Sequence, residues 1–465
     1  MSSQEDRHPA LDAGSIASPS KIPHQVRDDV ILKGSSRLAL AGLSLTALLA
    51  ALGTSSANVA LPVLASEFGV SFAAVQWVVL AYLLSITSLI VGVGRLGDIL
   101  GRRRLLVVGV VLFTLASILG GLASDLRFLI AARALQGAGA AVMMALTMAM
   151  VGEAVPKEQT GRAMGLLGTM SAIGTALGPS LGGLLVVGLS WRAIFFINLP
   201  LGVLALFLVA RSLPKDKAAA TPRPRFDIPG TLLLAATLAA YCLATTGGPW
   251  ILWLVAGVGL LLFIGVESKT ASPLVRLSLF RDRALSLGFI LGLAVMTVMM
   301  ATLVVGPFHL AGALGLDAAT AGLAMSAGPV VSALSGLPAG RLVDRFGAAT
   351  MVRVGLAVMS LASAALALMP IGFGVAGYVG PLVFLTAGYA TFQAANNTAV
   401  MRDVPADRRG VVSGLLNLSR NLGLVTGASV MGTVYAASGM RATFGLAVAL
   451  ILLALMLAQV GRLSR

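Results

Sequence analysis

The chain has 465 residues, of which 57% are hydrophobic and 11% are charged. Soluble domains carry about 25% charged residues, so this composition excludes an ordinary soluble protein and predicts an all-α polytopic membrane protein. The net charge of +15 does not indicate nucleic-acid binding, because membrane proteins gather basic residues in their cytoplasmic loops.

Residues 1–36 are polar and contain no apolar stretch, which predicts a disordered cytoplasmic tail without a cleavable signal peptide. Fourteen apolar segments follow, and each is long enough to cross a hydrocarbon core of about 30 Å. The predicted spans are 38–61, 74–95, 105–124, 128–151, 162–187, 192–210, 229–247, 249–267, 284–306, 319–340, 350–369, 375–400, 411–436 and 441–460.

The basic residues predict which side of the membrane faces the cytoplasm. Arg127, Arg192 and Arg441 fall in loops on one side. Arg133 and Arg420 lie within spans, and every other lysine and arginine falls on the second side. The positive-inside rule makes that second side cytoplasmic and places both termini of this multi-pass chain there.

A short charged turn occurs twice in the sequence. Residues 94–105 read GRLGDILGRRRL and residues 340–347 read GRLVDRFG, with the shared glycines and aspartate 246 positions apart. Further glycines recur at a spacing of 249, which predicts two homologous six-helix bundles with a substrate site between them. The predicted domains are a tail at 1–36, an N-terminal six-helix bundle at 37–211, a linker with two inserted spans at 212–283, and a C-terminal six-helix bundle at 284–465.

Three other stretches carry recognisable motifs. Residues 133–141 read RALQGAGAA, residues 174–183 read GTALGPSLGG, and residues 191–202 read WRAIFFINLPLG. Together with the turn at 94–105, they resemble motifs of the major facilitator superfamily, specifically its fourteen-span drug:proton antiporter branch (EmrB/QacA-like). The resemblance implies a major facilitator fold of two six-helix bundles plus two inserted helices.

The resemblance implies a secondary active transporter that exports drug-like or metabolite substrates by alternating access, driven by the proton gradient. It also implies the inner membrane of a bacterium and a possible periplasmic adaptor protein as partner. The alternatives are an uncoupled facilitator or importer of a small neutral or anionic metabolite, or a sensor that keeps the fold without transport. No enzyme, metal or other cofactor is predicted, because no intramembrane acid–base pair is visible and the histidines are only His8, His24 and His309.

One position departs from the family pattern. The branch usually carries an aspartate in span 1, a few residues before the sequence NVALP at 58–62, and Gly53 stands at that position here. The acid is associated in the family with proton coupling and cationic substrates. Arg133 and Arg420, with no carboxylate in mid-span, instead favour neutral, zwitterionic or anionic substrates, although each arginine could also simply tie helices together through backbone carbonyls.

The repeated turns predict a gate. The pseudo-symmetry of the two halves predicts that each aspartate faces a helix start of the other half, Asp98 near Gly410 and Asp344 near Gly161. A carboxylate near a helix N-terminus gains roughly 0.3–1 kcal/mol, which would bias the inward–outward equilibrium. A solvated loop that only sets the topology is the alternative. The predicted gating residues are Gly94, Asp98, Gly101, Arg102, Gly340, Asp344, Arg345 and Gly347.

Other residues within the spans are candidates for substrate binding, proton coupling or helix packing. Gly178, Pro179, Gly182 and Gly183 are predicted hinge or packing positions, with tight packing and bending both open. Methionines in spans 4 and 9 are candidates for an adaptable lining or for ordinary core. The substrate and coupling candidates are Arg133, Gln136, Asn58, Tyr82, Gln393, Asn397 and Arg420.

Overall fold

A computed structural model describes residues 24–155, 160–214, 216, 226–270, 273–275, 277–402, 404 and 409–463. Within these ranges the regular structure is helical, as the composition predicts. Of the tail predicted at 1–36, residues 1–23 lie outside the described part, and the first helix begins at His24.

The N-terminal part of the chain folds into a bundle of long helices joined by short ones. The buried faces of the long helices form one continuous apolar core from Ala39 to Leu213, which also includes Cys242, Met300, Val304, Val425 and Ala428 of later helices. The helices are α1 His24–Val59, α2 Leu61–Glu67, α3 Phe72–Val75, α4 Trp77–Leu100, α5 Arg102–Gly121, α6 Leu126–Ala154, α7 Thr160–Gly188, α8 Ala193–Phe196 and α9 Asn198–Ser212.

Two helices follow as a pair, and the C-terminal part then repeats the long-helix pattern. A second apolar core lies within the C-terminal part, and a third lies where the pair packs against it. The pair is α10 Ile228–Thr245 and α11 Ile251–Lys269; after a 3₁₀ turn at Leu277–Arg281 come α12 Arg283–Gly312, α13 Ala318–Phe346, α14 Ala348–Leu368, α15 Gly374–Met401, α16 Arg409–Thr426, a π-helical turn at Gly427–Met431, and α17 Gly432–Leu463.

Aspartate caps define where several of these helices begin. Asp125 accepts a hydrogen bond from the backbone N–H of Phe128 at 3.0 Å, and Asp317 accepts one from Thr320 at 2.7 Å. These backbone donors hold the pKa of each carboxyl below its usual range. A side-chain acceptor at this position satisfies a helix N–H that has no partner within the helix.

Thirteen segments of the described chain are long and apolar enough to cross a membrane. The last of them, Val411–Val460, contains 50 residues, about twice the length that one crossing requires. Gly439 interrupts it with a backbone φ of 73°, which is outside the helical range. The chain is therefore a multi-pass membrane protein.

The internal repeat of the sequence is also a repeat of helix contacts. In the N-terminal part, the glycine at position 174 packs against the backbone of Leu48 on α1. In the C-terminal part, the matching glycine at 423 packs against the backbone of Leu293 on α12 in the same way. Equivalent glycines therefore bring equivalent helices close together in the two parts.

Candidate substrate cavity and gate

A cavity of about 420 Å³ lies between the N-terminal and C-terminal helices. Its walls come from α1, α6 and α7 on one side and from α12, α13, α15 and α16 on the other. The volume lies within the roughly 300–1,000 Å³ that is usual for small-molecule sites. Its position is the one that the duplicated sequence predicts for a substrate site.

Methionine side chains give the cavity much of its apolar wall. Met144 and Met148 line it from α6, and Met296 and Met299 line it from α12. Met325 on α13 is an additional lining residue that the sequence did not single out. Flexible thioether side chains adapt to ligands of different shape, so this wall suits apolar or aromatic molecules.

Arg420 is the one charged side chain among the described residues that line the cavity. Its Nη2 donates a hydrogen bond to the hydroxyl of Tyr389 at 3.3 Å. Asn417 and Asn421 lie on the same helix and add two amide groups to the wall. A planar guanidinium binds carboxylate and phosphate groups well, so this corner of the cavity is suited to an anionic group.

The cavity is closed on the side away from the repeated turns. We call the end of the bundle that carries residues 94–105 and 340–347 the motif end, and the other end the far end. Toward the far end, Ser326 of α13 donates to the carbonyl of Ala176 on α7 at 3.0 Å, and Gln76 donates to the carbonyl of Ala428 at 2.9 Å. These hydrogen bonds join the N-terminal and C-terminal helices directly.

The glycines of α7 and α13 are closely packed near the far end and have open space beside them toward the motif end. Near the far end the backbone of Pro179 leaves no room for a β-carbon on Gly322. Toward the motif end, a β-carbon added at Gly168 of α7 or at Gly336 of α13 would have no atom within 4 Å. The cavity therefore opens toward the motif end.

Arg133 lies behind the wall of the cavity. It is 1% exposed and is absent from the described residues that line the cavity. Its Nε donates to the carbonyl of Val78 at 2.9 Å, and its Nη1 donates to the carbonyl of Gly53 at 3.0 Å and to the side chain of Gln136. Gln136 in turn donates to Ser117 at 2.7 Å, so the network joins α1, α4, α5 and α6.

One chain of contacts connects this buried network to the cavity. Thr54 lines the cavity and donates to the hydroxyl of Tyr82 at 3.3 Å. The Arg133 guanidinium lies 4.1 Å from the centre of the Tyr82 ring. Asn58, also buried, donates to the carbonyl of Thr54 at 3.1 Å. Tyr82 and Asn58 therefore contact Thr54 of the cavity wall directly, and Arg133 contacts it through Tyr82.

Position 53 has no space for the side chain that the related branch carries there. A β-carbon on Gly53 would lie 2.9 Å from the ring of Phe113 and 3.2 Å from the hydroxyl of Tyr82. The carbonyl of Gly53 is already an acceptor for Arg133. The aromatic rings thus fill the site of the missing acid.

The two remaining candidates from the sequence lie elsewhere. Gln393 is half-buried and Asn397 is exposed, and both lie outside the described lining of the cavity. Their neighbour Asn396 is buried and donates to the carbonyl of Gly288 at 3.1 Å, which ties α15 to α12. The amides at 417 and 421 supply the polar lining instead.

The first repeated turn holds a network of ion pairs. Arg102 binds the carboxylate of Asp98 at 2.9 Å and that of Glu153 at 2.7 Å. Among the described residues these partners all belong to the N-terminal part, and the predicted approach of Asp98 to Gly410 stays a prediction. Gly101 has a φ of 95°, a conformation that favours glycine and lets α5 start directly after α4.

The second turn repeats this backbone geometry. Gly347 has a φ of 82°, and its N–H donates to the carbonyl of Val343 at 2.9 Å, as the N–H of Gly101 does to Gly97. Asp344 is exposed at the end of α13, and its predicted approach to Gly161 stays a prediction. The positions Gly94, Gly340 and Arg345 lie on the same helix ends.

The predicted hinge positions are sites of close helix packing. Helix α7 continues through Pro179. The predicted glycines lie on two faces of this helix, and the two faces pack against different helices. Gly178 and Gly182 face α1, where Ser55 and Ser56 leave no room for a larger residue. Gly183 faces the backbone at the start of α13.

The sequence did not reveal that Asp216 belongs to the gate region. This residue of the linker accepts hydrogen bonds from the backbone N–H groups of Arg103 at 2.8 Å and Arg104 at 3.1 Å. It therefore caps the N-terminus of α5 from a distant part of the chain. In the sequence, Asp216 is a single acid between two lysines, a pattern typical of a solvated linker.

Replacing Asp216 with alanine is expected to lower the free energy of unfolding by about 0.5–2 kcal/mol, because two N–H groups lose their acceptor. Denaturant titration of the purified protein in detergent measures the change. Asp216→Asn keeps an oxygen acceptor, so we expect it to retain most of the stability. An equal loss in both variants would mean that the carboxylate acts through its charge and not as a cap.

Residues 43–428 match the Major Facilitator Superfamily over most of the chain, including the repeated turns and the cavity-lining helices. The chain belongs to the Major Facilitator Superfamily.

Two relatives are named for transport and for multidrug resistance. The riboflavin transporter RibZ of Clostridioides difficile is 32% identical over 384 residues, which cover 82% of this chain and 84% of RibZ. The multidrug resistance protein Stp of Mycobacterium tuberculosis (strain CDC 1551 / Oshkosh) is 34% identical over 398 residues, which cover 82% of this chain and 72% of Stp. The protein is therefore a transporter of small molecules and not an enzyme.

The fold resembles that of a solved transporter structure. The nucleoside transporter NupG superimposes with a TM-score of 0.67 at 14% identity, covering 91% of this chain and 99% of NupG. At this identity the likeness concerns the fold alone.

Proposed function

We propose that this protein belongs to the fourteen-span drug:proton antiporter branch and exports organic molecules by proton coupling. The observation that carries the proposal is the cavity between the two parts, with its methionine wall and a single arginine. The fourteenth span follows if the segment Val411–Val460 reverses direction at Gly439. The two spans α10 and α11 are then the insert between an N-terminal bundle at 37–211 and a C-terminal bundle at 284–465.

The motif end is the cytoplasmic end in this proposal. The positive-inside rule supports it, because the basic turns at 94–105 and 340–347 lie there. We propose that both termini lie on the same side. The structure then corresponds to an inward-open state, ready to take up substrate from the cytoplasm. Export follows when the motif end closes and the contacts between α7 and α13 at the far end separate. The inner membrane and a periplasmic adaptor protein remain predictions from the family resemblance.

The substrate class follows from the chemistry of the cavity. Among the cavity-lining residues that the structure describes, a positive guanidinium is present and carboxylates are not, which disfavours lipophilic cations. The methionines accept an aromatic or apolar body, and Arg420 with its neighbouring amides accepts a carboxylate, phosphate or other acidic group. We therefore propose neutral to anionic aromatic molecules as substrates.

Two modes of transport are candidates: proton-driven export, and uncoupled facilitation or import. Proton-driven export is supported by the resemblance of the motif at 174–183 to that of exporters. An uncoupled facilitator or importer is supported by Gly53, where the related branch has an acid and where this chain has no room for one. Transport measurements decide between them.

The test is substrate and proton movement in proteoliposomes that contain a pH-sensitive dye. A suitable panel has riboflavin as a neutral aromatic compound, its 5′-phosphate as the anionic form of the same ring system, and ethidium as a lipophilic cation. We expect flux of a neutral or anionic member accompanied by proton movement in the opposite direction. Empty liposomes, and liposomes with an unrelated membrane protein, serve as controls.

Each other outcome contradicts a defined part of the proposal. Substrate flux without proton movement would make the protein a facilitator. Preference for ethidium over both flavins would contradict the substrate class. Proton movement in the same direction as the substrate would contradict export by antiport.

A further inference from the structure

Two carboxyl groups are buried among the residues whose burial the structure describes, and they face each other. Asp227, which caps α10, is 6% exposed, and Glu267, in the last turn of α11, is 2% exposed. The structure buries Glu267 where the two inserted helices meet. The pair lies at the motif end, outside the central cavity.

One oxygen of each carboxyl group is already bound, and the other is not. Asp227 Oδ1 accepts from the N–H of Gly230 at 2.9 Å, and Glu267 Oε2 accepts from the N–H of Val275 at 3.0 Å. Among the described residues, Asp227 Oδ2 and Glu267 Oε1 are buried without a donor. Both of these oxygens lie within 2.6 Å of the point that a β-carbon on Gly230 would occupy, and the two side chains are hydrogen-bonding neighbours.

A proton between the two carboxyl groups satisfies both free oxygens. Two ionised carboxylates at this distance repel one another and lack hydrogen-bond donors in a buried site. A carboxylic acid on one residue donates its O–H to the carboxylate of the other. One proton therefore removes the repulsion and gives both free oxygens a hydrogen bond.

The same pair fixes a segment that bridges the two parts of the protein. Through Val275, Glu267 holds residues 273–275, and Arg95 of α4 donates to the carbonyl of Pro273. Leu274 and Val275 belong to the apolar core formed with α12, α15 and α16. Movement of the N-terminal bundle relative to the C-terminal bundle therefore stresses this segment.

We propose that Asp227 and Glu267 form a proton-binding site, and that the shared proton holds the bridging segment 273–275 in place at the motif end. Loss of the proton to water at this end leaves two buried carboxylates, which separate and release the segment. The site lies away from the substrate, so it goes beyond the proposed export function.

The charged groups that the structure describes on the neighbouring elements include Arg95, Lys269, Arg281, Asp282 and Arg283. Arg95 of α4 is directed at the carbonyl of Pro273. Lys269 on α11 and Arg281, Asp282 and Arg283 around the start of α12 are exposed, so water and salt screen their charges.

Infrared spectroscopy of the purified protein tests the shared proton, without substrate or gradient. We expect the spectrum of the wild type at neutral pH to contain the C=O band of a protonated carboxyl group that Glu267→Gln lacks. Asp227→Asn should also lack the band. In each variant the new amide can donate an N–H to the remaining carboxylate, which then needs no proton. The matched control is Asp282→Asn, an exposed helix cap nearby, which is expected to keep the band.

Thermal unfolding against pH provides the second measurement. Because ionisation of both groups is unfavourable in the buried site, we expect the melting temperature of the wild type to fall as the band disappears with rising pH. The melting temperature of Glu267→Gln should not follow that step. Absence of the band in wild type, or a melting temperature that rises with Na⁺ or Ca²⁺ at constant ionic strength, would overturn the proposal in favour of an ionised pair or a cation site.

Thiol labelling tests whether the proton holds the segment. Leu274 is 5% exposed, so a Leu274→Cys reporter in a Cys242→Ser background should react slowly while the pair is protonated. We expect its labelling rate, divided by that of an exposed Phe280→Cys reference, to rise across the same pH range. A constant ratio would remove the holding role. These readouts are independent of whether transport is proton-driven.

Discussion

Replacing Arg420 with alanine is expected to weaken the binding of an anionic substrate by roughly 10- to 100-fold, because a hydrogen bond to a charged group is worth about 1.5–3 kcal/mol. Arg420 is the charged group in the described lining of the cavity, and Tyr389 holds its guanidinium in place. The measurement is the dissociation constant of the best-bound anionic member of the transport panel in detergent or nanodiscs. Its neutral counterpart, such as riboflavin for the 5′-phosphate, should lose much less affinity.

Three variants separate charge from geometry and from general damage. Arg420→Lys keeps the charge without the planar fork of donors, so an intermediate loss is expected. Tyr389→Phe removes the group that orients the guanidinium and should cause a smaller loss than Arg420→Ala. Arg441→Ala removes an exposed arginine outside the cavity lining and should have no effect. Equal weakening of neutral and anionic ligands by Arg420→Ala would show that the arginine supports the cavity wall and does not recognise charge.

The sequence predicted the features that follow from regular patterns. Long apolar segments identified the membrane helices, and the repeat of Gly101 as Gly347 identified two turns with the same left-handed backbone. The predicted spans 411–436 and 441–460 leave residues 437–440 between them, and Gly439 in this gap has a φ of 73°, which interrupts the helix.

The sequence predicted the substrate-site residues less well, because periodicity does not tell which face of a helix meets the cavity. Arg133 and Arg420 both lie several residues inside a span, yet one is buried behind α1 and the other lines the cavity. Contacts between distant segments were equally hidden. Asp216 reaches the start of α5, and Asp227 meets Glu267, although each of these acids lies next to an ordinary charged linker in the sequence.

Replacing Arg133 with alanine is expected to lower the free energy of unfolding by about 1–3 kcal/mol, since buried carbonyl acceptors are left without their donor. The carbonyl oxygens of Val78 and Gly53 would lose their donor, and the Tyr82 ring would lose its cation. Thermal and denaturant unfolding in detergent measure the loss. Transport should also fall, because Thr54 of the cavity wall is positioned through Tyr82.

Arg192 offers a matched control for this prediction. Its guanidinium lies 4.3 Å from the centre of the Trp191 ring, but its side chain is 40% exposed and its ion pair with Glu67 is long, at 3.8 Å. Because water solvates the groups that Arg192→Ala leaves behind, this variant should lower the free energy of unfolding by only about 0.5–1 kcal/mol. If Arg133→Ala unfolds like the wild type but has lost proton-coupled transport, Arg133 takes part directly in coupling. If it is unstable while its folded fraction binds substrate normally, burial of the arginine serves to align α1, α4, α5 and α6 around the cavity.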